Sequence, residues 1–372
     1  MASIAAVLDS NSNITRHHGP GLVAVFGKFS VLRELRHDWL RRLSLFLLFL
    51  VFILTFPVGG TSGIGETTAR AFIRNTDASR AYLIGRDQAS AMSIIEELKK
   101  LKPESEVTFI RSDVSLLREV DKTCAAIQEK EDKVNILFLS PGTGSTNGRT
   151  ETDEGLDRKL NLHYYSRMRF VQNLLPQLRN ADHSRTRDHK PLSRVVSVLE
   201  AGGEGALQLD DLSLKTHWSL RNCGIHSITM NSVSMEHLAS VYPQTSFVHS
   251  FPGIVRTRLD RDLCTVAKCA MKALIVLAKQ WEISFEESGE RHLYAATSPR
   301  FPPHAYKDSA SDAAEGSDGR IGSGSYRLSS QGSPYKPSKI MERYRVDGVR
   351  SMIWDHTLGV FAQVRGRQEN GG

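Results

Sequence analysis

A glycine-rich turn at the start of a helix constrains this chain more than any other feature. Residues 58 to 65 read VGGTSGIG, and the helix-favouring stretch ETTARAF follows directly. Glycines let a backbone come close to an anion, and a helix N-terminus offers unpaired N–H groups and the positive end of the helix dipole. Such a turn works only between a buried strand and a helix, so the sequence predicts a phosphate-binding turn between those two elements.

Five residues of this turn are candidate phosphate ligands. Gly59, Gly63 and Gly65 would bring the backbone N–H groups close to a phosphate, and Thr61 and Ser62 would add hydroxyl donors. A glycine pattern alone is weak evidence for a dinucleotide-binding turn, and a surrounding βαβ unit makes that evidence stronger.

Apolar runs alternate with helical stretches along the rest of the chain. The predicted strands are AYLIG (81–85), VTFI (107–110), VNILFLS (134–140), RVVSVL (194–199) and SFVHS (246–250). This alternation indicates an α/β fold, a Rossmann doubly wound parallel sheet with helices on both faces. We expect this domain to cover residues 58 to 300, with its first strand supplied from further upstream.

The strand that should lead into the glycine turn is displaced in the sequence. GLVAVFG, at 21 to 27, has the character of a first strand, predicted over 21 to 26, but a basic stretch and the apolar block LSLFLLFLVFILTF (43–56) separate it from the turn. A membrane span needs about 20 apolar residues, and shorter blocks are more often core segments. We therefore expect a cytoplasmic protein, with a short membrane anchor at 43 to 56 as the alternative.

A translated intron would explain this displacement. The codons GGTAAG for Gly27-Lys28 contain a splice donor, and CCAGTN for Pro57-Val58 contains a splice acceptor, so removing 31 codons would give GLVAVFVGGTSGIG. Our hypothesis is that residues 27 to 57 are largely a retained intron. The alternative is that residues 1 to 57 are a genuine N-terminal extension.

Composition limits the classes of partner. The chain is 40% hydrophobic and 24% charged, as in ordinary globular proteins, and its net charge of +7 is scattered outside the N-terminal region. The four cysteines show no metal-binding spacing. We expect a small-molecule substrate, no nucleic acid and no metal, with a homo-oligomer as an open alternative.

The last 72 residues are predicted to form a linker and a helix. Residues 301 to 339 are rich in Ser, Gly, Pro and charge, which favours a loop or linker. The end of the chain has helical apolar spacing and should pack back onto the domain. The apolar positions are Ile340, Met341, Val349, Met352, Ile353 and Phe361.

Two charged residues follow the second and third strands. Arg86 lies where the ribose of a bound dinucleotide would sit, and a guanidinium there favours a 2′-phosphate, hence NADP(H) over NAD(H); the alternative is a solvated arginine. Asp113 would accept from the adenine amino group or cap the next helix.

These motifs together resemble the short-chain dehydrogenase/reductase family. GGTSGIG, SDVS, SPG, RVVSV and FPGIVRT follow the family's order over residues 58 to 260, with most similarity to fungal members of secondary-metabolite pathways. The resemblance implies a nicotinamide cofactor, with Pro252, Gly253 and Thr257 at its nicotinamide end.

The catalytic positions depart from the family pattern. The resemblance implies a Tyr and, four residues later, a Lys, where this chain has Trp218 and Asn222. Indole donates a hydrogen bond but does not exchange a proton near neutral pH. The family's Ser position falls at Glu200, or at Ser197 in a shifted alignment, and its Asn position falls near His163.

Each substitution has a structural and a chemical interpretation. Trp218 would fill the space of the phenol or stack on substrate, and His163 and Glu200 would be ordinary structural groups or new proton carriers. We therefore predict an NADP(H)-dependent oxidoreductase acting on a small metabolite. The alternatives are a cofactor-binding pseudoenzyme, and a non-redox isomerase or dehydratase that uses His163 or Glu200.

Overall fold

Seven parallel strands form the central sheet of the computed structural model, which describes residues 2–27, 63–143, 148–181, 190–255, 282–309 and 311–370. The strand order is β3-β2-β1-β4-β5-β6-β9, and β7 and β8 form a separate short pair. The strands are β1 Val23–Gly27, β2 Arg80–Gly85, β3 Glu106–Arg111, β4 Ile136–Leu139, β5 Arg194–Val198, β6 Ser246–Ser250, β7 Ile254–Val255, β8 Glu282–Ile283 and β9 Ser325–Leu328.

Helices cover both faces of this sheet. In chain order they are α1 Ile4–Ser12, α2 Ile14–His18, α3 Ile64–Asn75, α4 Gln88–Leu101, α5 Leu117–Gln128, α6 Arg158–Leu160, a π-helical turn Asn161–Tyr165, α7 Ser166–Asn180, α8 Leu220–Val241, α9 Phe285–Thr297, a 3₁₀ turn His304–Ser309, α10 Lys339–Val346 and α11 Val349–Asn370. The predicted doubly wound fold is confirmed.

The first strand shows why both faces must be covered. Val23 and Val25 of β1 belong to one buried cluster, and Ala24 and Phe26 belong to the other. Side chains alternate between the faces of a strand, so a strand buried on both sides reads as one continuous apolar run. The five other predicted runs coincide with β2 to β6; burial on both faces explains β2, β4, β5 and β6, whereas β3 is a partly exposed edge strand.

The predicted first strand, residues 21 to 26, is present as β1 Val23–Gly27. Residues 28 to 62, including the apolar block 43–56, lie outside the described residues. Within the described ranges, no helix combines the length and apolar character needed to cross a bilayer.

The structure differs from the linker prediction for residues 301 to 339. Ser325–Leu328 pairs in parallel with β6 and forms an edge of the sheet. Tyr326 is fully buried, its ring centroid lies 5.4 Å from that of Phe301, and its hydroxyl donates to the Pro302 carbonyl at 2.7 Å. A four-residue strand within a Ser- and Gly-rich segment gives no periodic signal, so tertiary packing decided its conformation.

The C-terminal helices pack onto the domain, as their apolar spacing predicts. Met341, Val349, Ile353 and Phe361 belong to the same buried cluster as α7 and α8, whereas Met352 is 38% exposed. A hydrogen bond also holds α11 in place, because the Tyr164 hydroxyl lies 2.6 Å from the Thr357 hydroxyl.

Candidate nucleotide-binding and catalytic site

The end of the glycine turn lies at the point where the strand order of the sheet reverses. A Cβ at Gly65, in the first turn of α3, would lie 2.9 Å from Ser140 Oγ and 3.5 Å from the Gly27 carbonyl oxygen. The Ser140 hydroxyl itself donates to the Gly27 carbonyl at 3.0 Å. Helix α3 therefore meets the ends of β1 and β4 more closely than a side chain would permit. Close helix–strand packing of this kind is what the last glycine of a dinucleotide-binding turn provides.

The N-terminus of α3 is the predicted phosphate site. Gly63 is the residue before the helix, and its carbonyl accepts from the Thr67 N–H at 3.1 Å. The first N–H groups of a helix have no partners within the helix and attract anions. Gly59, Thr61 and Ser62 lie outside the described residues, so their phosphate-binding roles stay predictions.

Arg86, Asp113 and Arg158 meet beyond β2 and β3. Arg86 Nη1 lies 3.9 Å from Asp113 Oδ2, while Asp113 Oδ1 accepts from the N–H and the hydroxyl of Ser115. Arg158, at the start of α6, donates to the Ser115 hydroxyl at 3.2 Å. Asp113 thus caps its own turn with one oxygen and faces Arg86 with the other.

Burial and charge act together on Arg86. Burial lowers the pKa of this guanidinium, Asp113 raises it, and the positive charge of Arg158 lowers it again. Two positive charges therefore lie near each other with one carboxylate, Asp113, beside Arg86, so a further negative charge would be stabilised there.

The predicted nicotinamide end follows β6. Pro252 and Gly253 are buried, and Gly253 has φ +75°, a conformation that favours glycine. A Cβ at Gly253 would lie 2.7 Å from both Ile283 Cδ1 and Ser330 Cβ. Thr257 lies outside the described residues, so its role stays a prediction.

His163 lies in the π-helical turn before α7. Its Nε2 accepts from the Thr143 N–H at 3.0 Å, and its carbonyl accepts from Asn231 Nδ2 at 2.7 Å. Burial, with smaller contributions from the charges of Arg167 and Lys159, lowers the pKa of His163 to about 3. The neutral imidazole therefore holds the loop that follows β4. π-helical turns are rare and often mark functional sites.

Glu200 and Ser197 have different surroundings. Ser197, in β5, accepts from Arg167 Nη1 at 2.6 Å and donates to Asn231 Oδ1 at 3.0 Å, within the buried interior. Glu200 follows β5 and lies close enough to Tyr335 to raise the pKa of its phenol, after the larger effect of burial and that of Glu204.

Tyr335 comes from the C-terminal part of the chain and reaches the loop after β5. A Cβ at Gly202 would lie 2.8 Å from its ring, so this ring lies against that loop. The predicted Glu200 site therefore has a phenol as its neighbour.

Trp218 and Asn222 lie at the start of α8. Asn222 has its N–H bonded to the N-cap hydroxyl of Ser219 at 3.0 Å, and its side-chain amide donates to the His217 carbonyl at 2.8 Å. Trp218 packs partly buried against the core, and its Nε1 is a buried donor without a hydrogen-bond partner among the described residues.

Lys159 adds a positive charge to this region. Its Nζ lies 5.4 Å from the centroid of the Trp218 ring and 3.4 Å from the Gly148 carbonyl oxygen, and the residue is only 3% exposed. Burial lowers the pKa of Lys159, while Asp157 and Cys223 act in the opposite direction.

Comparison with known proteins places the chain in a family. The short chain dehydrogenase model matches residues 55–186. An oxidoreductase of Emericella nidulans is 40% identical over 314 residues, which cover 82% of this chain and 92% of that protein. This chain belongs to the short-chain dehydrogenase/reductase family.

Other relatives of this short-chain dehydrogenase/reductase are also fungal. An oxidoreductase of Emericella variicolor is 38% identical over 322 residues, covering 84% of this chain and 92% of that protein. A short-chain dehydrogenase/reductase of Stachybotrys chartarum is 28% identical over 337 residues, covering 82% and 91%. An uncharacterized protein from Mycobacterium paratuberculosis shares the fold, with TM-score 0.56, 13% identity, and coverage of 92% of this chain and 94% of that one.

The site of this short-chain dehydrogenase/reductase brings together only part of the predicted set. Lys159 connects His163 and Trp218, because it precedes His163 by four residues and stacks over the indole. Glu200 instead neighbours Tyr335. Lys159, Arg158 and Tyr335 were missed in the sequence analysis. All three depend on long-range contacts, which are those of Lys159 with Trp218, of Arg158 with Ser115, and of Tyr335 with the loop that contains Gly202.

Proposed function

We propose that the protein is an NADP(H)-dependent oxidoreductase that acts on a carbonyl or hydroxyl group of a small metabolite in fungal secondary metabolism. The observation that carries the cofactor choice is the pair of positive charges beyond β2: Arg86 lies beside Asp113, and Arg158 bonds the Ser115 hydroxyl that itself donates to Asp113. The negative charge of a 2′-phosphate would offset the repulsion between these two guanidinium groups. A neutral 2′-hydroxyl would leave that repulsion unchanged.

The described residues fit a dinucleotide. The N–H groups at the start of α3 would hold the pyrophosphate, because Gly65 leaves no side chain between the helix and the strand ends. Arg86 would hold the 2′-phosphate, and the Pro252–Gly253 bend would border the nicotinamide. When bound, the cofactor supplies or accepts a hydride. The neutral imidazole of His163 would keep the loop after β4 in place.

A second candidate function rests on Trp218 and Asn222. The indole does not release its proton near neutral pH, and the neutral Asn222 amide donates to the His217 carbonyl and supplies no cation. These substitutions favour a pseudoenzyme that binds the dinucleotide without turnover. NADPH oxidation by the purified chain against a panel of ketones separates the two functions, since turnover supports the oxidoreductase and its absence with intact NADPH binding supports the pseudoenzyme.

The cofactor preference is tested by titration calorimetry with NADPH and NADH. We expect tighter binding of NADPH, and we expect Arg86→Ala to remove most of that preference, a loss of about 1.5–3 kcal/mol for a charge-assisted hydrogen bond. Arg158→Ala should remove a smaller part of this preference, because Arg158 bonds the Ser115 hydroxyl and not Asp113 itself.

Arg343→Ala is a matched control, because Arg343 is an exposed arginine of α10. It should leave both affinities unchanged. Equal affinities of the wild-type protein for NADPH and NADH would overturn the assignment of NADP(H).

A further inference from the structure

We propose that Lys159 and Trp218 form the site for the substrate's carbonyl oxygen, in which the Trp218 indole N–H holds that oxygen and the Lys159 ammonium donates the proton to it. This proposal rests on the oxidoreductase function proposed above. In this arrangement Lys159 of α6 supplies the proton that the indole of Trp218 does not release.

The two residues lie at the ligand-binding edge of the sheet. Ligands of open α/β sheets bind beyond the carboxyl ends of the strands, near the point where the strand order reverses. Lys159 contacts the carbonyl of Gly148 in the loop that follows β4, and Trp218 lies in the segment that connects β5 to α8. Both segments leave strands on the same side of the reversal point.

The buried indole N–H needs an acceptor. Trp218 Nε1 is buried and has no hydrogen-bond partner among the residues that the structure describes. Nearly all buried polar groups in native proteins are paired, so an isolated donor at a ligand-binding edge indicates a place that a ligand fills. An indole donates only, which restricts this ligand atom to an acceptor such as a carbonyl oxygen.

The lysine is held beside this donor. Its ammonium lies over the indole face, 5.4 Å from the ring centroid, and such cation–π contacts keep a charged group in position where water is scarce. Burial lowers its pKa, which makes proton release near neutral pH easier than from an exposed lysine. His163, one helical turn further along the chain, stays neutral beside it and does not compete as an acid.

The proton and electrons balance in a carbonyl reduction. One hydride adds to the carbonyl carbon, the π-electron pair of the C=O bond moves onto oxygen, and this oxygen takes a proton from the Lys159 ammonium. The substrate is reduced to an alcohol and the dinucleotide is oxidised. The neutral amine then regains a proton from water.

The first experiment detects the site without turnover. The indole N–H signals of the four tryptophans are recorded by ¹⁵N NMR, and Trp218→Phe assigns the signal of residue 218. With NADP⁺ bound, we expect cyclohexanone, decalone or acetophenone to shift the Trp218 signal and the ¹⁵Nζ signal of Lys159, which Lys159→Met assigns. If no ketone shifts either signal, or if benzoate alone shifts them, the proposal is overturned.

The second experiment separates proton donation from packing. Lys159→Arg keeps the positive charge and the stacking, but a guanidinium releases no proton at neutral pH. Lys159→Met keeps the length and loses the charge. We expect both variants to lower kcat by about 10²–10⁴-fold with KM changed far less, since this is the usual contribution of a positioned acid. A kcat restored by Lys159→Arg would show a packing role and overturn the proposal.

Controls distinguish a failure of the carbonyl-oxygen site from a failure of the proposed oxidoreductase function. Each variant should keep the wild-type NADPH affinity and melting temperature, which shows that the fold and the dinucleotide site are intact. A wild-type protein that binds NADPH but turns over no ketone would count against the oxidoreductase function, and the NMR shifts would then still decide whether Lys159 and Trp218 bind a carbonyl oxygen.

Discussion

At the residue scale, Gly65 shows how closely α3 approaches the sheet. A Cβ at this position would lie 2.9 Å from Ser140 Oγ, and real Cβ atoms essentially never come within 3.0 Å of a heavy atom. We expect Gly65→Ala to destabilise the protein by about 1–3 kcal/mol, the usual cost of overpacking, and to weaken NADPH binding because α3 shifts. Urea unfolding and calorimetry measure the two effects.

The double variant Gly65→Ala/Ser140→Ala provides the control for this prediction. Removal of the Ser140 hydroxyl deletes the nearest atom, so stability should recover in part compared with Gly65→Ala alone. If Gly65→Ala matches the wild type in both measurements, the close approach does not position the phosphate-binding turn.

Residue identity predicted some members of the site and not others. Arg86 and Asp113 follow predicted strands directly, so their meeting at the sheet edge could be read from the sequence. Lys159 could not be assigned in the same way, because its importance depends on Trp218, 59 positions later in the chain. Tyr335 depends on a still longer-range contact with the loop that contains Gly202.

At the element scale, strands with an apolar run were predictable and the polar strand was not. β2 to β6 are short apolar runs bounded by polar segments, and this holds even for β3, which forms one edge of the sheet and is partly exposed. β9 has only four residues, two of them Ser325 and Arg327, within a polar segment. Its pairing with β6 depends on the fold that surrounds it.

Helix α11 yields a test of the packing of the C-terminal elements. Phe361 is 3% exposed, and the Arg169 guanidinium carbon lies 5.1 Å from its ring centroid. Phe361→Ala should lower the free energy of unfolding by about 3–5 kcal/mol, as for other buried aromatic residues. Met352→Ala, at an exposed position of the same helix, should change it by about 0.5 kcal/mol or less. Equal effects of the two substitutions in urea unfolding would contradict the packing of α11 as core.

At the scale of the whole molecule, the connection between β1 and α3 is unusually long. β1 ends at Gly27 in the middle of the sheet and α3 begins at Ile64, yet a Cβ at Gly65 would lie 3.5 Å from the Gly27 carbonyl oxygen. Loops between a strand and a helix in α/β proteins usually have about two to six residues. The connection is therefore far longer than the fold needs, and our hypothesis that residues 27 to 57 are an insertion accounts for the excess.

This geometry sharpens the prediction for a chain without residues 27 to 57. In that variant Val58 follows Phe26 and takes the place of Gly27 at the end of β1, and residues 59 to 62 alone lead to Gly63 and α3. A short turn of this length holds its N–H groups toward a phosphate, whereas a long connection costs entropy to order. We expect the deletion variant to be more soluble and to bind NADPH more tightly than the full chain, as measured by calorimetry on both proteins.

Sequencing of the transcript tests the origin of residues 27 to 57. A dominant message without those codons supports the retained intron. A dominant message that keeps them, with the protein in the membrane fraction, would favour an anchor at 43 to 56 instead.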